Sequence, residues 1–98
     1  MSSEPTTELH LVSALEDQRA WEHCRQRARA GARVRMLLLH DAVLVTEERA
    51  AAWLGGAEVA VVACAEHARR RQVGERWALA DYDEIIAQCT QAQRVVSW

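Results

Sequence analysis

Residues 34–39, Val34-Arg35-Met36-Leu37-Leu38-Leu39, form an apolar run interrupted by one arginine and closed by His40-Asp41. A nearly continuous apolar segment of this kind marks a strand covered on both faces. Residues 58–63, EVAVVA, repeat the signature and lead directly into Cys64. Between the two runs the pattern predicts a helix through about 46–54, with Glu47 and Glu48 in its first turn and Gly55-Gly56 as its stop. Strand, helix and strand joined by short turns imply a parallel crossover.

Working outward, Leu9 to Val12 (LHLV) is a short strand candidate. Ser13 precedes Glu16 by the capping-box spacing, which predicts a helix over about 14–30 ended by Gly31. Ala20, Trp21, Cys24 and Ala28 form its apolar stripe, and the arginines at 19, 25, 27 and 29 mostly take the other faces. After Cys64 comes a short helix, AEHARRRQ, and then a possible strand at Trp77 to Ala80. Asp81 and Glu84 repeat the capping spacing and open a helix through about 92, whose expected buried face is Ile85, Ile86 and Cys89. Val95 to Trp98 is a last short strand. The expectation is a small α/β domain over 9–98: a doubly wound, mostly parallel five-stranded sheet with helices on both faces. Polar residues 1–8, with the sole proline, are expected to be a flexible lead.

In open parallel sheets, reactive groups gather beyond the carboxyl ends of the strands. That rule singles out Ser13, His40, Asp41 and Cys64.

Composition narrows the chemistry. A chain of 98 residues, 50% hydrophobic, makes one domain with one core. A net charge of −2 gives no general pull toward nucleic acid or anionic membrane. No apolar run approaches the roughly 20 residues that span a bilayer. The opening MSSEPTTE lacks a basic n-region, which points to a cytoplasmic protein. Cys24, Cys64 and Cys89 lie far apart with no CxxC pair, so they read as free thiols. All the cationic side chains are arginine, which excludes chemistry that needs lysine, including that of a response-regulator receiver. No pair has zinc-ligand spacing, there is no phosphate loop, and SALEDQ is not the Ser/Thr/Gly-rich turn a flavin would want. Neither metal nor organic cofactor is expected.

Three segments then carry a family resemblance. LHLV, the stretch AWEHCRQRARAGARVRMLLLHDAVLV and the ending DYDEIIAQCTQAQRVVSW together resemble the DsrH/TusB family of sulfur-relay proteins, with Ser97-Trp98 the most specific piece. The chain departs from that pattern at Ser13-Ala14-Leu15-Glu16, where an Asn-Lys-Ser-Pro-like turn is usual. It departs again at His40-Asp41-Ala42, where the family has an acidic pair, and at Leu44, where it has a tyrosine. The resemblance implies a subunit of a cytoplasmic hetero-oligomer with sister DsrE/TusD-like and DsrF/TusC-like subunits. Such a complex exchanges persulfide sulfur with upstream and downstream carriers, for tRNA 2-thiouridine formation or for dissimilatory sulfur oxidation. The family's mid-helix cysteine maps onto Cys24. ACAEHARRRQV resembles the segment that carries the sulfur-accepting cysteine of the sister subunits, which maps onto Cys64.

A persulfide carrier needs a thiolate, and a strand end that becomes a helix start offers amide N–H groups to hold one. On that ground Cys64 is the first catalytic candidate. Cys24 is the second, although its stripe position and mid-helix setting favour packing. Cys89, beside Ile85 and Ile86, reads as core. With the common strand order 2-1-3, His40 would stand two strand spacings, about 10 Å, from Cys64 and out of hydrogen-bond reach. His10 and His23 read as ordinary strand and helix residues. Direct RNA contact through the arginines is disfavoured by the acidic total. The competing reading is a non-catalytic architectural subunit whose cysteines are all packing and whose Trp53, Trp77 and Trp98 anchor interfaces.

Overall fold

A computed structural model describes residues 6–98. Five strands, β1 (Thr7–Val12), β2 (Arg33–Leu38), β3 (Val59–Cys64), β4 (Ala78–Ala80) and β5 (Arg94–Ser97), form one sheet in the order β4-β3-β2-β1-β5. Every pairing is parallel. The helices are α1 (Gln18–Arg29), α2 (Glu47–Leu54), α3 (Ala65–Arg70) and α4 (Tyr82–Gln91), and a 3-10 turn covers His40–Leu44. The α/β class and the five-stranded parallel sheet follow the sequence reading. No helix among the described residues is long and apolar enough to cross a membrane.

The strand order departs from the expected 2-1-3. β2, not β1, lies beside β3, with Leu38 paired to Ala63. From β1 to β4 each crossover steps to the next strand in the same direction, so right-handed connections place α1, α2 and the short α3 on one face, the front. The step from β4 back to β5 runs the other way and sends α4 across the back. It spans four strand spacings, about 19 Å. A helix of 10 residues is only about 15 Å long.

Local chemistry sets the element ends. α1 starts later than the Ser13–Glu16 spacing suggested: Asp17 is its N-cap, accepting from the Ala20 N–H at 3.3 Å. The Ser13 carbonyl instead accepts from the Ala42 N–H, tying the 3-10 turn over the end of β1. Thr46 caps α2, and Gly55 ends it in the left-handed region at φ 55, where a glycine carries little penalty. Asp81 and Glu84 form the capping box expected for α4. Residues 1–5 of the expected lead lie outside the described residues, and Thr7 and Glu8 already belong to β1.

The core is on the front. Val12, Trp21, Cys24, Met36, Leu38, Val43 and Ala63 are completely enclosed there. The back differs from expectation: α4 buries none of its residues, Ile86 is 48% exposed, and Ile85 and Cys89 are only half-buried. The face predicted for Ile85, Ile86 and Cys89 is therefore covered only in part: Leu9 and Leu37 beneath it are enclosed, but one slanted helix covers less of the sheet than the helices in front.

Candidate functional site

The carboxyl edge of the sheet carries the four residues that the strand-end rule had singled out. β1, β2 and β3 end side by side, at Val12, Leu38 and Cys64. Ser13, His40-Asp41 and Cys64 are the residues at or just beyond those ends. With β2 beside β3, His40 follows a strand one spacing from that of Cys64, about 4.8 Å, and not two.

His40 is held in an unusual conformation. Its φ of 50 puts a non-glycine residue in the left-handed region, which histidine tolerates better than most. The bend directs its backbone N–H onto Nδ1 of His67 at 2.8 Å, and the two imidazoles stack with centroids 4.2 Å apart. Because Nδ1 of His67 accepts this bond, a neutral His67 carries its proton on Nε2. Burial, with the nearby His40 and Arg71, pushes the His67 pKa below its ordinary value. His67 therefore has no free basic nitrogen with which to take a thiol proton. The ring of His40 makes no hydrogen bond among the described residues, which leaves it as the imidazole at this edge with uncommitted nitrogens. Asp41 accepts from Arg71 at 3.1 Å, and Glu66 pairs with Arg70 at 2.7 Å, so two of the three consecutive arginines 69–71 are locally balanced.

Cys64 is the last residue of β3 and the N-cap of α3. Its thiol makes no capping hydrogen bond, and α3 has only 6 residues, so the helix-dipole support expected for a thiolate is short-ranged. The residue is 8% exposed, close to sealed but still reached by solvent.

Cys24 has the opposite character. It is completely buried on the front face, and burial, helped by the charge of Glu8, pushes its thiol up to about 12. A thiol so held is protonated at every physiological pH. The sheet also separates the two thiols. Ala63 shares the front core with Cys24, and alternation along β3 turns Cys64 to the back. Cys89 is half-buried on α4 and belongs to neither setting.

The sequence reading missed a buried polar cluster on the front face. Glu8 and His10, 2% and 0% exposed, alternate onto the same side of β1. Arg27 donates to Glu8 Oε2 from Nε at 2.8 Å and from Nη2 at 2.6 Å. His10 Nε2 lies 3.0 Å from Glu8 Oε1, and the indole N–H of Trp98 donates to His10 Nδ1 at 3.0 Å. Burial alone would raise the Glu8 pKa, but the bonds and charges of Arg27 and His10 outweigh it and hold the carboxyl below its ordinary value. The spacing of Glu8 and His10, two apart in a strand, was the available signal. Its meaning depended on Arg27 and Trp98, 19 and 88 residues away in sequence.

Behind the sheet, under the C-terminal half of α4, lies an open cleft of about 560 Å³ lined by Leu9, Arg33, Arg35, Ala60, Gln88 and Gln91. It sits at the amino-terminal half of the strands, away from Cys64. No group of three or more histidine, cysteine or acidic residues among the described residues could hold a metal ion.

Comparison with protein-family models, curated proteins and solved structures finds no match.

Proposed function

We propose that the chain is a subunit of a cytoplasmic sulfur-relay complex of the DsrH/TusB kind, with Cys64 as its sulfur carrier. The observation that carries this reading is the placement of Cys64. It is the one cysteine that ends a strand at the carboxyl edge of the sheet, beside the His40-Asp41 turn. In the reaction, the Cys64 thiolate attacks the outer sulfur of a donor persulfide. The donor S–S bond breaks, the donor leaves as a thiolate, and Cys64 becomes the persulfide; attack by an acceptor thiolate reverses the sequence. His40 is the group to accept the thiol proton. No metal or organic cofactor enters this scheme. Sister DsrE/TusD-like and DsrF/TusC-like subunits and outside carriers supply and remove sulfur, for tRNA thiolation or sulfur oxidation, without nucleic acid or membrane contact by this chain.

Incubation with a low-molecular-weight persulfide, followed by intact-mass measurement, tests this reading. A gain of one sulfur that is lost in Cys64→Ser and kept in Cys24→Ser supports it. No gain in the native protein, or a gain kept in Cys64→Ser, overturns it.

A second reading, the architectural subunit, is favoured by the back face. There α4 leaves Tyr82 75% and Ile86 48% exposed. All three tryptophans this reading would use as anchors have internal partners: Trp53 packs on Trp21, the Trp77 indole donates to the Val45 carbonyl, and the Trp98 indole donates to His10.

A further inference from the structure

We propose that Trp98 is a pH-operated latch: its indole N–H is held by the unprotonated Nδ1 of His10, and protonation of that nitrogen releases the C-terminal edge of the sheet.

The bond pattern assigns the histidine tautomer. Indole nitrogen can only donate, so the 3.0 Å contact from Trp98 requires a lone pair on His10 Nδ1. The other nitrogen faces an ionised carboxylate that already accepts from Arg27, so Nε2 carries the proton. Every polar atom of the imidazole is thus committed, and the ring is completely enclosed. A second proton on Nδ1 places two donors against each other, with no water to separate them. The Trp98 bond is then lost.

The surroundings of His10 set when this happens. Glu8 on β1 favours the cation, but Arg27 on α1 already neutralises it. His23 on α1, with its ring 5.5 Å away, and Arg94 on β5 oppose a further positive charge. Cys24, also on α1, is a neutral thiol. Burial leads these effects, and the net result holds His10 below its ordinary 6.5. A group depressed in the folded state adds stability that is complete above 6.5 and is lost as pH falls through the folded value.

The released element is a short edge strand. β5 has 4 residues and pairs only with β1. Trp98 continues that pairing through its backbone N–H to the Leu11 carbonyl at 2.9 Å, and its ring packs on His10 and His23. Without the indole bond, little besides these contacts holds the terminus.

Indole N–H exchange, read by ¹H–¹⁵N spectroscopy on the full chain from pH 8 to pH 5, tests the latch. The Trp98 signal is assigned from its loss in Trp98→Phe. The indole of Trp77, bonded to a backbone carbonyl and to no titrating group, serves as the internal reference. The ratio of Trp98 to Trp77 exchange should stay flat above pH 6.5, rise by up to tenfold per pH unit as pH falls from 6.5 toward the folded pKa of His10, and level off below it. In His10→Asn, whose side-chain oxygen can accept without titrating, the ratio should stay flat throughout, whereas His23→Gln should keep the rise. A flat ratio in the native protein, or a rise that persists in His10→Asn or disappears in His23→Gln, overturns the proposal. Should His10→Asn not fold, the His10 ring titration in Trp98→Phe decides. Loss of the indole donor should move the His10 midpoint upward, and an unmoved or lowered midpoint overturns the latch.

Discussion

The two faces of this sheet are made from the same five strands but are not protected alike. On the front, α1 and α2 enclose Trp21, Cys24, Met36 and Leu38 completely. On the back, α4 encloses none of its own residues. Composition does not explain the contrast, since α4 carries Ile85, Ile86 and Cys89 where α1 carries Ala20, Trp21 and Cys24. Topology does. A helix that joins neighbouring strands lies directly over the pair it connects, while α4 must run from one edge of the sheet to the other. The contrast sorts the thiols as well: Cys24 belongs to the closed face and Cys64 turns toward the open one.

The largest effect that could break this contrast is at the centre of the front. Trp21→Ala should cost about 3–5 kcal/mol, the range for truncating a buried tryptophan, read as a shift of the urea midpoint at unchanged slope. A loss below about 1 kcal/mol would mean that the front yields as readily as the back. The indole N–H of Trp21 has no hydrogen-bond partner, so part of the native residue's burial is already offset by an unpaired donor.

A middle-sized effect concerns how α4 stays helical without a core. Asp81 accepts from the Glu84 N–H at 2.8 Å, and the Glu84 carboxylate reaches back to the Asp81 N–H at 3.4 Å. Asp81→Ala should cost about 1 kcal/mol, and Asp81→Asn much less, since asparagine caps nearly as well. Amide exchange along 82–91 should speed up in the alanine variant while α1 is unaffected. Equal acceleration in both helices would show that the two faces unfold as one unit.

How much of this was legible depended on the range of the signal. The strands, the α2 stop at Gly55 and the Asp81–Glu84 cap were readable because each is fixed by residues within one turn of one another. The start of α1 was misread because Ser13 and Asp17 both stand ahead of a helical run, and only the fold commits the Ser13 carbonyl to Ala42. Strand order was not legible: nothing local in β2 says that its second neighbour is β3. The error mattered at the site, because it set His40 one strand too far from Cys64. The Glu8–His10 cluster was invisible for the same reason, since its meaning rests on side chains from α1 and the C-terminus.

The smallest effect is the most informative about the back face. Ile86 is 48% exposed, so Ile86→Ser removes apolar area that is largely in water already. Its cost in the isolated chain should stay within about 0.5 kcal/mol, as for other surface substitutions. That near-zero result holds only if nothing covers α4 in solution. If a second copy does, the native protein's urea midpoint rises with protein concentration, because association stabilises the folded state by mass action. The serine variant should then lose that dependence. Measuring both proteins at two concentrations a hundredfold apart separates the cases: parallel, concentration-independent curves mark an open face. A midpoint that climbs only in the native chain marks α4 as a surface the chain covers by pairing with itself.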